Sequence, residues 1–196
     1  MTIAYDDAPD ELREIADRAS ASFEDAASAA KSIENYMNAH MPLHALHDAD
    51  DRLVRLINQN NEFDSGEVKA LKDAAGELEK KFAKLVYSDA MAARVDSGAL
   101  ATDAVSDYIS HDRLDEITNN ASLLHDELDN IESSASKLQA LTSDLDPNEE
   151  LIPSAYHTLA DKSLREGLKQ KVTNFTSAIN DAVNEYEQYI DRAESL

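Results

Sequence analysis

A repeat of 14 residues is written twice in succession between His111 and Leu138, first as HDRLDEITNNASLL and then as HDELDNIESSASKL. The two copies are identical at eight of the 14 positions. Their apolar residues alternate spacings of three and four, which is typical of a helix held in a coiled-coil or bundle seam. These seam residues are Leu114, Ile117, Ala121, Leu124, Leu128, Ile131, Ala135 and Leu138. The repeat therefore predicts a long helix that packs against other helices along its whole length.

The same spacing recurs along most of the chain, and the four glycines and four prolines fall mostly between the periodic segments. We predict helices over residues of about 9–41, 42–60, 65–96, 102–145 and 154–195. No segment alternates apolar and polar residues with period two, so we expect no strand. Because the connections are short, the predicted fold is all-α, an elongated antiparallel bundle of four to five long helices in a single domain over residues 1–196.

The third predicted helix carries an apolar stripe that Met91 and Val95 extend, before Ser97 and Gly98 end the segment. In the repeat, leucine and alanine alternate along one register, so we expect close helix contacts at Ala121 and Ala135. Uncharged residues flank the seam, at positions where a two-stranded zipper usually carries charges that select its partner. This pattern favours a bundle of three or more helices.

The chain is strongly acidic, with 40 acidic and 18 basic residues and a formal charge of −22. Such a charge repels phosphates and anionic lipids, so we expect no nucleic-acid partner and no binding to a membrane surface. The acidity suits a solvated helical surface, an adaptation to a salt-rich source, or an inhibitor that mimics nucleic acid. Acids and bases are interspersed over most of the chain, which disfavours the mimic.

The chain contains no cysteine, which excludes disulfides, thiolate metal sites and cysteine nucleophiles. The first 20 residues lack both a basic start and an apolar stretch, and nowhere do 18 apolar residues run together. We therefore expect a soluble protein without a signal peptide or membrane span, located in the cytoplasm or within a particle.

The densest group of potential metal ligands lies between His40 and Asp51. At 100° per residue a helix places four of these side chains on one face, opposite an apolar face. Two histidines and two carboxylates suit a divalent ion of borderline softness, whereas the simpler interpretation is a solvated polar face whose acids raise histidine basicity. The simpler interpretation is favoured because protected metal sites usually gather ligands from several helices. The weak candidates are His44, His47, Asp48 and Asp51.

Two histidines, His111 and His125, recur at equivalent positions of the repeat, and each is followed four residues later by an aspartate, Asp115 or Asp129. Pairs at this spacing stabilise a helix modestly, so we interpret them as residues at the edge of the seam. Tyrosines at helical spacing likewise suit packing at a rim better than a ligand pocket. They are Tyr36, Tyr87, Tyr108 and Tyr156.

Several enzyme signatures are absent from the sequence, namely Glu-x-x-His, G-x-S-x-G, H-E-x-x-H and a glycine-rich phosphate loop. The chain is therefore predicted to be a non-enzymatic structural or assembly subunit that binds a protein partner or copies of itself through long seams, as a homo-oligomer or within a larger assembly and without a cofactor. The alternatives are a sensor bundle responsive to a ligand or divalent ion, and an acidic inhibitor that mimics nucleic acid.

Overall fold

A computed structural model of the chain describes residues 5–41, 65–103, 109–143 and 161–196, together with Asp48 and Arg55. Every regular element in these ranges is helical, which confirms the predicted all-α bundle. A 3-10 turn at Tyr5–Asp7 precedes the α-helices. The helices are α1 (Asp10–His40), α2 (Ser65–Tyr87), α3 (Asp89–Asp103), α4 (His111–Ser143) and α5 (Lys162–Glu194). The helix predicted over residues 42–60 lies outside the described residues except for Asp48 and Arg55.

The chain divides into two compact units. Unit 1 comprises Met1–Glu34, Ser88–His125 and Gln170–Leu196, and unit 2 comprises Asn35–Tyr87 and Asp126–Lys169. Helices α1, α4 and α5 contribute residues to both units, whereas α2 belongs to unit 2 and α3 to unit 1. The assignment of residues 1–196 to a single domain stays a prediction.

Polar side-chain contacts show that α1 and α5 run antiparallel in unit 1. As residue numbers rise along α1, those of the partners fall by equal steps along α5, so a single register is kept over several turns. The pairs are Arg192 with Glu11 at 2.9 Å, Arg18 with Glu185 at 3.2 Å, and Lys171 with Ser32 at 2.8 Å.

The core of unit 1 combines small residues of α1 with large residues of α5. Phe23 and Tyr186 meet edge to face, with ring centroids 5.8 Å apart and an interplanar angle of 68°. Small neighbours leave room for these rings, because interiors are filled by pairing large side chains with small ones. The buried alanines of α1 in this unit are Ala16, Ala19, Ala26 and Ala30.

In unit 2, α2 packs against the second half of α4. Lys84 forms an ion pair with Glu127, and Lys137 Nζ lies 3.7 Å from Glu77 Oε2. Because the earlier residue of α2 pairs with the later residue of α4, these two helices are antiparallel as well. The core between them includes Leu78, Phe82, Leu85, Leu128, Ile131 and Leu138, all buried.

The predicted third helix differs from the structure in two respects. It is interrupted at Ser88, and it continues through Ser97 and Gly98 to Asp103. The prediction that Ser97 and Gly98 end the helix was wrong. Ser97 is fully buried, and its hydroxyl donates to the carbonyl of Arg94 at 2.9 Å. A glycine inside a helix costs only about 1 kcal/mol relative to alanine, which the packing of α3 offsets.

The start of the helix that carries the repeat was also predicted too early, near residue 102, whereas the predicted start of the last helix, near residue 154, lies outside the described residues. Helix α4 begins at His111, because Ser110 is non-helical and its hydroxyl accepts from the Arg113 amide at 3.4 Å. Helix α5 begins at Lys162, where Asp161 Oδ1 accepts from the Ser163 amide at 2.8 Å. Hydrogen bonds from Ser163, first from its hydroxyl, lower the pKa of Asp161. Both caps satisfy amides that a helix start leaves without partners.

Candidate functional site

The seam residues of the repeat all lie inside the two units. None of the eight is more than 6% exposed. Leu114, Ile117, Ala121 and Leu124 belong to unit 1, and the other four belong to unit 2. The surface that a partner protein can touch is therefore formed by other residues, and the predicted role of the seam in interactions stays a prediction.

Most of the predicted metal-ligand candidates lie outside the described residues. His44, His47 and Asp51 lie outside the described residues, and Asp48 is exposed. His40 is exposed at the end of α1, with its ring centroid 4.6 Å from that of Tyr36. Within the described residues, no three or more side chains of the metal-ligating types His, Cys, Asp and Glu form a group that could hold a metal ion.

The histidine and aspartate positions of the repeat make contacts to α5. His111 Nε2 lies 3.7 Å from Asp191 Oδ1, and Asp129 Oδ1 lies 3.5 Å from Lys169 Nζ. His125 is half-buried. These residues therefore lie at the edges of helix contacts, and the side chains of both pairs are largely exposed to solvent.

The tyrosines that were considered as possible pocket residues differ in how far they are buried. Tyr36 is half-buried, and its hydroxyl donates to the Leu164 carbonyl at 3.1 Å, directly over Gly167. Tyr87 is 76% exposed. Tyr108 and Tyr156 lie outside the described residues. Tyr36 therefore packs between α1 and α5 in unit 2.

A shallow recess in unit 2 has an empty volume of about 290 Å³ that includes open solvent. Lys169 Nζ lies 3.5 Å from both Asp129 and Glu132, and these carboxylates, Glu132 first, raise the pKa of Lys169. An anionic ligand would have to compete with these ion pairs. The recess is lined by Met41, Leu128, Ile131, Glu132, Arg165, Leu168 and Lys169.

We give the name α3–α4 groove to a set of exposed residues of α3 and α4 in unit 1. Arg113 of α4 bonds to Asp96 of α3 at 2.6 Å and so places the two helices side by side. The α3 wall consists of the exposed side chains of Ala92, Val95 and Ala99, and the α4 wall of those of Asp112, Glu116 and Leu123.

Helical periodicity explains why these side chains share one surface. Ala92, Val95 and Ala99 are three and four residues apart, so they lie on one face of α3. The buried face of α3 is formed by other positions, among them Ala90 and Ala93. On α4, the spacing of four and seven residues likewise places Asp112, Glu116 and Leu123 on one face.

Two large apolar side chains stand exposed in the α3–α4 groove. Val95 is 68% exposed and Leu123 is 44% exposed. Val95 and Leu123 lie on different helices, and Leu123 is ten residues beyond Arg113 along α4, which is roughly 15 Å. They are two exposed apolar side chains of unit 1 that a partner protein could cover.

Charged residues are distributed unequally between the two walls. Arg94 and Asp96 are the charged residues of α3 between its two terminal aspartates, and both are half-buried. Burial lowers the pKa of Arg94, while the carboxylate of Glu34 acts in the opposite direction. A hydrogen bond to Glu116, with a smaller contribution from Asp96, raises the pKa of Arg113. The three exposed residues of the α3 wall are thus uncharged, whereas the α4 wall includes the acidic Asp112 and Glu116.

The sequence prediction placed Val95 in the apolar stripe of the third helix, and this was wrong. Counted at about 100° per residue from the buried Phe82, Ala93 lies about 20° around the helix and Val95 about 140°, so Ala93 is buried while Val95 faces outward. One sequence signal pointed to this surface. Residues 90–102 contain just two charged residues in a chain in which 30% are charged.

No known protein family, curated protein or solved structure matches the chain. Among the helices that the structure describes, none is long and apolar enough to cross a membrane. The α3–α4 groove is accordingly the surface from which we infer a function.

Proposed function

We propose that the chain is a non-enzymatic protein-interaction subunit that binds a partner protein in the α3–α4 groove. The observation that carries this proposal is the exposure of two large apolar side chains in unit 1, Val95 of α3 and Leu123 of α4. Removing apolar surface from water stabilises a complex by roughly 25 cal/mol per Å² before the costs of association. Covering these two side chains supplies such a gain.

The small residues beside Val95 favour a helix as the bound element. Ala92 and Ala99 flank Val95 along α3, and both are exposed. A helix laid along the groove can approach the α3 backbone closely at the alanines, while Val95 fits between its side chains as a knob in a hole. Long polar side chains at these positions would keep the two backbones apart.

Affinity capture from an extract of the source organism tests the proposal. The baits are the full chain, Val95→Asp, Leu123→Asp and a control, Ala21→Asp, which adds the same charge at an exposed position of α1 in unit 1. We expect one protein, identified by mass spectrometry, to be retained by the wild type and the control and lost from both groove variants. Retention by all four baits, or capture by none, would contradict the proposal.

Light scattering then distinguishes binding of a different protein from self-association of the chain. If copies fill the groove, the wild-type mass is a multiple of 21.6 kDa and Val95→Asp returns it to the mass of the monomer. If a different protein fills the groove, the isolated chain and the variant have the same mass. The second result is the one that we expect, because two surfaces of the same strong negative charge repel each other.

A further inference from the structure

We draw no further inference here: the strongest candidate, the shallow recess in unit 2 beside Lys169 of α5, carries nothing, because Asp129 and Glu132 already hold the Lys169 ammonium and nothing in the structure shows what covers the apolar residues of the recess.

Discussion

Two glycines inside helices differ in what surrounds them. A Cβ added at Gly76 of α2 meets no atom within 4 Å, whereas one added at Gly167 of α5 collides with the hydroxyl of Tyr36. Gly76→Ala should raise the free energy of unfolding by about 0.5–1 kcal/mol, since alanine loses less backbone freedom than glycine in a helix. Gly167→Ala should be less stable than Gly76→Ala by about 1 kcal/mol or more, because Tyr36 must leave the Leu164 carbonyl. Urea denaturation measures both.

The variant Tyr36→Phe provides the matched control for Gly167. It lacks the hydroxyl that approaches Gly167 most closely, so Gly167→Ala should be better tolerated in a Tyr36→Phe background than in the wild type. Equal stabilisation by the two glycine substitutions would show that Tyr36 does not need the space above Gly167.

The alanines of the repeat are a second test at the scale of single residues. Ala121 and Ala135 are completely buried, as the alternation of leucine and alanine predicted. Replacing either with leucine should lower the free energy of unfolding by about 1–3 kcal/mol, because the added carbons have no room. Ala21→Leu, at an exposed position of α1, is the control and should change stability little. A neutral effect at both buried sites would mean that the seam tolerates larger side chains than its packing indicates.

At the scale of helices, the sequence predicted which segments are helical better than it predicted where they end. The three-four spacing of apolar residues predicts one buried face on each helix. Residues at this spacing are buried along α1, α4 and α5. Helix ends depend on local caps such as Ser110 and Asp161, whose hydrogen bonds the apolar pattern does not encode. Val95, which was assigned to the apolar stripe, lies about 140° around a helix from the buried Phe82 and is exposed.

The groove could be predicted from the sequence only in part. Low charge between residues 90 and 102 was visible in the sequence. What could not be read is that Arg113 bonds to Asp96 and so brings α4 beside α3. No periodicity within one helix specifies how two helices of unit 1 pack together.

The contact between α2 and α4 contains a buried carboxylate that the sequence did not single out. Glu127 is 5% exposed, and its Oε2 has no hydrogen-bond partner among the described residues, while Lys84 bonds to Oε1. Lys84→Met should lower the free energy of unfolding by about 1–3 kcal/mol, because the carboxylate then lacks its cation. The Lys84 side chain is 65% exposed, and solvent screening should keep the effect near the low end of that range.

A double variant checks that this loss comes from the carboxylate. Glu127→Leu removes the buried charge, so Lys84→Met combined with Glu127→Leu should be more stable than Lys84→Met alone. Chemical denaturation of the four proteins gives the coupling energy. Strictly additive effects would show that the two side chains do not interact.

For the whole molecule, the charge of −22 dominates the response to salt. Repulsion among surplus carboxylates opposes the compact state, and salt screens it within a Debye length of about 10 Å at 0.1 M. The melting temperature should therefore rise as NaCl increases from about 0.05 M to about 1 M. Thermal melts followed by circular dichroism measure the change, with KCl as the control, because screening alone predicts equal effects of the two salts. A melting temperature that falls with salt would mean that the ion pairs between helices outweigh the repulsion.

The most direct test of the proposed function is carboxyl footprinting of the full-length chain with and without the protein that it retains in affinity capture. Labelling of Asp112 and Glu116 should slow several-fold in the complex, because these exposed carboxylates lie on the same face of α4 as Leu123. Glu24 and Asp25 of α1 are exposed as well and should label at an unchanged rate. Equal slowing at all four residues, or slowing confined to α1, would contradict docking in the groove.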